Sequence, residues 1–134
     1  MMHINHIKVR GFHLDMYQHV NNARYLEFLE ESRWAYFEHY PLMEKIHARN
    51  CALVLVNIDI NYRRPAFNNE LIEVRTKVSR IGNKSISFEQ NIYLEGTETL
   101  IADAIATFCI LDQETHTSVE ISQDERTLLE EMAV

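Results

Sequence analysis

Two hydrophobic periods alternate along the chain, and their order predicts its architecture. Over 56–63, Val56, Ile58, Ile60 and Tyr62 face one way and Asn57, Asp59, Asn61 and Arg63 the other, the period of two expected of a strand with one buried face. Ile72, Val74, Thr76 and Val78 repeat the pattern. Gly82-Asn83 then reads as a tight hairpin turn, and Ile86, Phe88, Gln90, Ile92 and Leu94 return from it. A second turn falls at 95–98. Leu100, Ala102, Ala104, Ala106, Phe108 and Ile110 predict a last strand, whose alternate alanines suit the close approach of a neighbour. A short strand is expected over 5–11, followed by a polar loop to Asn21. From about 22 to 40 the period becomes helical, until Pro41 stops it. The tail at 122–132 predicts a short helix, with Ser122 and Glu125 spaced for reciprocal capping.

The long helix is apolar over roughly 200° of its circumference, wider than the stripe of an ordinary surface helix. Tyr25, Leu26, Phe28, Leu29, Ala35, Tyr36, Phe37 and Tyr40 make that face, and Arg24, Glu27, Glu31 and Glu38 a narrow polar strip. Such a helix must be wrapped. The strands supply the wrapper, so the expected class is α+β: one long central helix against a five-stranded antiparallel sheet, in a single domain spanning 1–134. A sheet of this kind has long open edges, which favours pairing into homo-oligomers.

Composition narrows the function. The net charge of −7 argues against a nucleic-acid partner, which needs a basic face. The longest apolar run, 52–56, is far too short for membrane insertion, and the first ten residues lack an apolar signal core. Cys51 and Cys109 sit in apolar surroundings and read as buried free thiols, in keeping with a cytoplasmic protein. Neither they nor the scattered histidines have the spacing of a metal site, and nothing implies a cofactor.

The chemistry concentrates at the mouth of the long helix. The stretch HLDMYQHVNNARYLEFLEESR, residues 13–33, crowds Asp15, His19, Asn21 and Asn22 before the helix begins. A helix N-terminus offers unpaired N–H groups and about half a positive charge. Donors aimed at one point polarise a carbonyl and hold the oxyanion formed on attack. Asp15, seven residues before Asn22, is the matching carboxylate, as nucleophile or as general base. The alternatives are ordinary: Asp15 as a turn former, Asn21 or Asn22 as the N-cap, His19 as a structural hydrogen-bonding group.

Asp15-x-x-x-His19-Val20-Asn21-Asn22-x-x-Tyr25, followed by Glu30-Glu31-x-Arg33, resembles the hotdog-fold acyl-CoA thioesterases of the 4-hydroxybenzoyl-CoA thioesterase type, their bacterial long-chain branch in particular. The likeness extends through Asn61-Tyr62-Arg63-Arg64-Pro65-Ala66 and Gly82-Asn83-Lys84-Ser85. It implies the hotdog fold, two protomers joining their sheets, dimers or dimers of dimers (homotetramers), and a site between protomers. It implies hydrolysis of medium- or long-chain acyl-CoA, with Asp15 as the catalytic carboxylate and the Asn22 backbone N–H facing the thioester carbonyl. In plant-type acyl-carrier-protein thioesterases the histidine matching His19 is treated as catalytic, so His19 stays a candidate. Those enzymes have Asn at the position of Tyr17, and many relatives have Gly at that of Gln18; this chain departs from both.

Coenzyme A carries several phosphate charges. Arg63, Arg64, Arg80, Lys84 and the adjoining Ser85 are the candidates to receive it, against the alternative of solvated strand-edge charge. Tyr25 is expected at the acyl group, or simply in the core. The competing functions are a non-catalytic acyl-CoA-binding module and an acyl-carrier-protein thioesterase.

Overall fold

The computed structural model describes residues 2–134. Its elements are β1 (His3–Lys8), a 3₁₀ turn (Gly11–His13), α1 (Asn22–His39), α2 (Leu42–Ala48), β2 (Cys51–Tyr62), β3 (Leu71–Ile81), β4 (Ser85–Leu94), β5 (Leu100–Asp112) and α3 (Gln123–Ala133). The strands form one five-stranded sheet in the order β1-β3-β4-β5-β2, antiparallel at every pairing. The α+β class expected from the periods is the observed one.

Helix α1 packs on the inner face of the sheet through Tyr25, Phe28, Leu29, Ser32 and Tyr36. Ala102 and Ala104 share a buried cluster with Tyr25, Phe28 and Leu29, so the small side chains of β5 do lie under the helix. The wrapping is one-sided, however. Leu26 is 39% exposed and Trp34 65%, so the apolar face extends past what a single sheet covers.

Three boundaries differ from the sequence expectation. Strand β1 ends at Lys8, because Gly11 opens the 3₁₀ turn. Pro41 ends α1 as expected, but it is also the N-cap of α2, whose Leu42 and Ile46 are fully buried one turn apart. Strand β2 begins at Cys51 and not at Val56, and its register shifts between Leu55 and Asn57. That bulge reverses the inward phase: Leu53 and Ile58, an odd number of residues apart, both pack on the core. Val56, expected on the buried face, is left 57% exposed on an edge strand.

The capping of α3 is as the spacing predicted: the Glu125 N–H donates to Ser122 Oγ at 3.2 Å, and the Ser122 N–H to Glu125 Oε1 at 2.9 Å. Cys51 and Cys109 are free; Cys51 is buried and Cys109 half-buried. Among the described residues no helix is long and apolar enough to cross a membrane.

Candidate active site

The loop before α1 is a small framework built around Asp15. The Asp15 N–H donates to the His19 carbonyl (2.9 Å), and the Gln18 N–H to the Asp15 carbonyl (3.1 Å). The Tyr17 N–H donates to Asp15 Oδ1 at 2.8 Å, so one carboxylate oxygen closes its own turn. The second oxygen has no protein partner among the described residues. Gln18 takes φ 63°, a left-handed conformation that glycine adopts at least cost. The loop is pinned to the segment after β2 by the Val20 N–H donating to the Ala66 carbonyl, 2.9 Å, and by a bridge between His19 and Phe67.

Capping then divides the two asparagines. Asn21 is the N-cap, its Oδ1 accepting from the Ala23 N–H at 2.9 Å. Asn22 is the first helical residue, and its N–H finds no acceptor among the described residues. The helix mouth therefore carries an unused donor where the dipole is positive.

Asp15, His19 and Asn22 line one open cavity of about 420 Å³. Tyr25, Tyr62, Arg63, Arg64 and Pro65 complete its walls. The His19 ring stands edge-on to Phe67 at 5.1 Å, with no hydrogen bond to either ring nitrogen among the described residues. Tyr25 is buried, and its hydroxyl accepts the Ala66 N–H at 3.0 Å; burial raises its pKa. It serves the core and the cavity wall together.

The two arginines at the cavity have different commitments. Arg64 makes a bidentate pair with Glu70 (3.0 and 2.9 Å), lies over the Phe67 ring, and so fastens the loop at 64–70. The hydrogen bond from Arg64 holds the Glu70 carboxyl below its ordinary range despite partial burial. Arg63 is more exposed and uses its Nε on Asp103 at 2.7 Å.

Arg80, Lys84 and Ser85 do not reach this cavity within one chain. Ser85 pairs with Cys109, which pairs with Val54, whereas Tyr62 at the cavity pairs with Ala102. Ala102 and Cys109 are separated by about 24 Å of strand, at about 3.4 Å per residue. The helix glutamates are also apart from it. Glu27 pairs with Arg24 at 2.7 Å, Glu31 is exposed, and Glu30 borders a different cavity.

Sequence reasoning missed Tyr62 as a site residue, reading it as one more inward position of an alternating strand. It is half exposed, and its hydroxyl donates to the Asn22 carbonyl at 3.2 Å. The available signal was its place, the last strand residue before Arg63-Arg64-Pro65.

A profile of the thioesterase-like superfamily matches residues 10–130, nearly the whole chain and the entire cavity wall. This chain belongs to the thioesterase-like superfamily. It is 46% identical over 126 residues to the long-chain acyl-CoA thioesterase FadM of Escherichia coli strain K12, covering 94% of this chain and 96% of that protein. Among solved structures it is similar to the YbaW probable thioesterase of Escherichia coli, with a TM-score of 0.91 and 44% identity over 98% of each chain. The 1,4-dihydroxy-2-naphthoyl-CoA thioesterase Slr0204 of Synechocystis shares the fold alone, with a TM-score of 0.83 at 18% identity over 96% of each chain. The resemblance read from the Asp15–Tyr25 motif and the hotdog fold it implied are borne out.

Proposed function

We propose that this thioesterase-superfamily chain hydrolyses medium- and long-chain acyl-CoA to free fatty acid and CoA. The observation that carries the proposal is one juxtaposition. An unbonded oxygen of Asp15 and the unbonded N–H of Asn22 belong to residues lining the same cavity, at the positive end of α1.

In this reading the thioester carbonyl oxygen lies at the Asn22 N–H, where donor and helix dipole hold the negative charge that develops. The free Asp15 oxygen acts in one of two ways. It attacks the carbonyl carbon, the C–S bond breaks, CoA leaves as thiolate, and water hydrolyses the mixed anhydride. Or it takes a proton from water as that water attacks, and collapse of the tetrahedral adduct expels the thiolate. His19, with both ring nitrogens unengaged, is in reach of the cavity to return a proton to the leaving sulfur.

A second copy of the chain completes the site. Strand β2 is an open edge. Antiparallel pairing of two β2 strands about a two-fold axis reverses one relative to the other. The Val54 end of the second copy then comes to the Tyr62 end of the first. With it come Arg80, Lys84 and Ser85 of the second copy, to the end of the joint sheet that holds Asp15. They and Arg63 are the groups for the CoA phosphates, in a dimer or a dimer of dimers. The cytoplasmic setting expected from the sequence stays part of the proposal, supported by two free thiols.

The test is thiol release from acyl-CoAs of increasing chain length, with Asp15→Asn beside the wild type and both folds checked by circular dichroism. Hydrolysis by the wild type that falls by a factor of about a hundred or more in the folded variant is expected, the range for loss of a general base. Tight acyl-CoA binding without thiol release from either protein would leave a binding module. Turnover undiminished in the variant would move the chemistry away from Asp15.

A further inference from the structure

The oxyanion site proposed above has one donor, the Asn22 N–H, whereas oxyanion holes ordinarily join two. A second unspent donor stands one turn along the same helix. Tyr25 is only 4% exposed and lines the cavity of Asp15 and Asn22. Its hydroxyl oxygen accepts the Ala66 N–H at 3.0 Å. Its hydroxyl proton has no acceptor among the described residues. Glu70, the carboxylate whose charge reaches it, is already taken: Arg64 occupies both oxygens and the Phe67 N–H shares one.

Three bonds fix where this hydroxyl lies. Ala66 gives its N–H to Tyr25 and accepts the Val20 N–H at 2.9 Å on its carbonyl. Tyr62, at the start of the same segment, bonds the Asn22 carbonyl at 3.2 Å. The phenol therefore ends in the seam between residues 62–66 and the helix mouth, the two sides that wall the cavity. A helical side chain leans toward the turn before its own, which directs Tyr25 at the Asn22 end of α1. A buried donor left without an acceptor is costly. With Ala66 on its oxygen, the hydroxyl turns its proton to the cavity, where an acceptor on a bound molecule removes that cost. Burial raises the Tyr25 pKa, so near neutrality the group donates and does not act as a base.

We infer that the Tyr25 O–H is a second donor to the thioester carbonyl oxygen, paired with the Asn22 N–H. Each takes one lone pair. Negative charge grows on that oxygen as the carbon is attacked, so both bonds strengthen toward the transition state. The proton stays on Tyr25 throughout. This role rests on the acyl-CoA hydrolysis proposed above and adds a catalytic residue to it.

The experiment sets Tyr25→Phe, which keeps the ring, beside wild type and Asp15→Asn. Two unreactive probes accompany octanoyl-CoA: its ketone analogue, with a methylene in place of the sulfur, and octyl-CoA, with a methylene in place of the carbonyl. Tyr25→Phe should lower kcat about a hundredfold or more, the loss of one oxyanion donor, with KM nearly constant. It should bind the ketone about two- to tenfold more weakly and octyl-CoA unchanged. In the wild type the infrared C=O stretch of the bound ketone should lie below its value in water, and in the variant it should rise. Lost packing would move neither the stretch nor the ratio of the two affinities. Should the variant fail to fold, difluorotyrosine at position 25 keeps both bonds and, as a stronger acid, should lower the stretch further. An unmoved stretch or unchanged kcat in the folded variant, an equal loss for both probes, or a wild type that does not lower the stretch would each overturn the role. A Tyr25-dependent stretch without hydrolysis would sink the reaction and keep the donor. Hydrolysis lost in Asp15→Asn but intact in Tyr25→Phe would sink the donor alone.

Discussion

The Tyr62 hydroxyl, at the last residue of β2, donates to the carbonyl of Asn22, the first residue of α1, at 3.2 Å. This bond ties the end of an edge strand to the helix mouth whose N–H is proposed to face the thioester. The ring also stands edge-on to Tyr25 at 5.4 Å, which limits its swing.

Tyr62→Phe keeps that ring contact and removes only the bond. A neutral hydrogen bond contributes about 0.5–1.5 kcal/mol, so kcat should fall about two- to tenfold with KM nearly constant. Steady-state kinetics on one acyl-CoA checks this. A KM effect with unchanged kcat would instead make Tyr62 a substrate contact.

Gln18 carries backbone strain at φ 63° in the turn that presents Asp15. The left-handed conformation costs an L-residue about 1–2 kcal/mol, part of which glycine gives back through its freer unfolded chain. Gln18→Gly should stabilise the protein by about 0.5–1 kcal/mol in urea denaturation without loss of turnover. A destabilised variant would mean that the glutamine side chain holds the turn.

The β2 edge offers a test of the paired site. Val56 is exposed at the bulge, where a second copy would meet it. Val56→Lys introduces a charge into that seam, and lysine on an open strand discourages pairing. Sedimentation should show a smaller species, and thioester hydrolysis should fall with it. An active monomer would remove the second copy from the site.

Arg49 and Glu125 hold α3 to the loop after α2 through a bidentate pair at 2.6 and 2.8 Å, with the Glu125 side chain almost wholly buried. Burial raises the carboxyl's pKa, but the bonds from Arg49 and the Ser122 N–H outweigh it, leaving the pKa below the ordinary 4.5. A folded-state value below the unfolded one contributes stability that is complete above pH 4.5 and is lost as pH falls through the depressed value. Urea midpoints should therefore drop below that pH. Glu125→Gln should cost about 1–3 kcal/mol near neutrality and flatten the acid limb, since Arg49, a third exposed and still bonded to the Glu120 carbonyl, loses its charged partner. An acid limb unchanged in the variant would assign the loss to other carboxylates.

Much of this protein is local, and what is local was legible in the sequence. A period of two or of 3.6 depends only on neighbouring residues, so β3, β4, β5, α1 and the capped α3 followed from it. Asp15 and Asn22 were also within reach, because a turn, a cap and a helix start lie within one short stretch. What depends on pairing between distant segments was decided only by tertiary structure. The bulge at Val56 comes from matching β2 to β5, and it turned Val56 outward while Ile58 and Ile60 kept the face read from alternation. Arg64 looked free in sequence and is committed to Glu70, whereas Tyr62 looked buried and borders the cavity. Arg80, Lys84 and Ser85 are near Arg64 in number but at the far end of an antiparallel ladder. Proximity across a sheet is set by strand order and register, which no window of neighbouring residues contains.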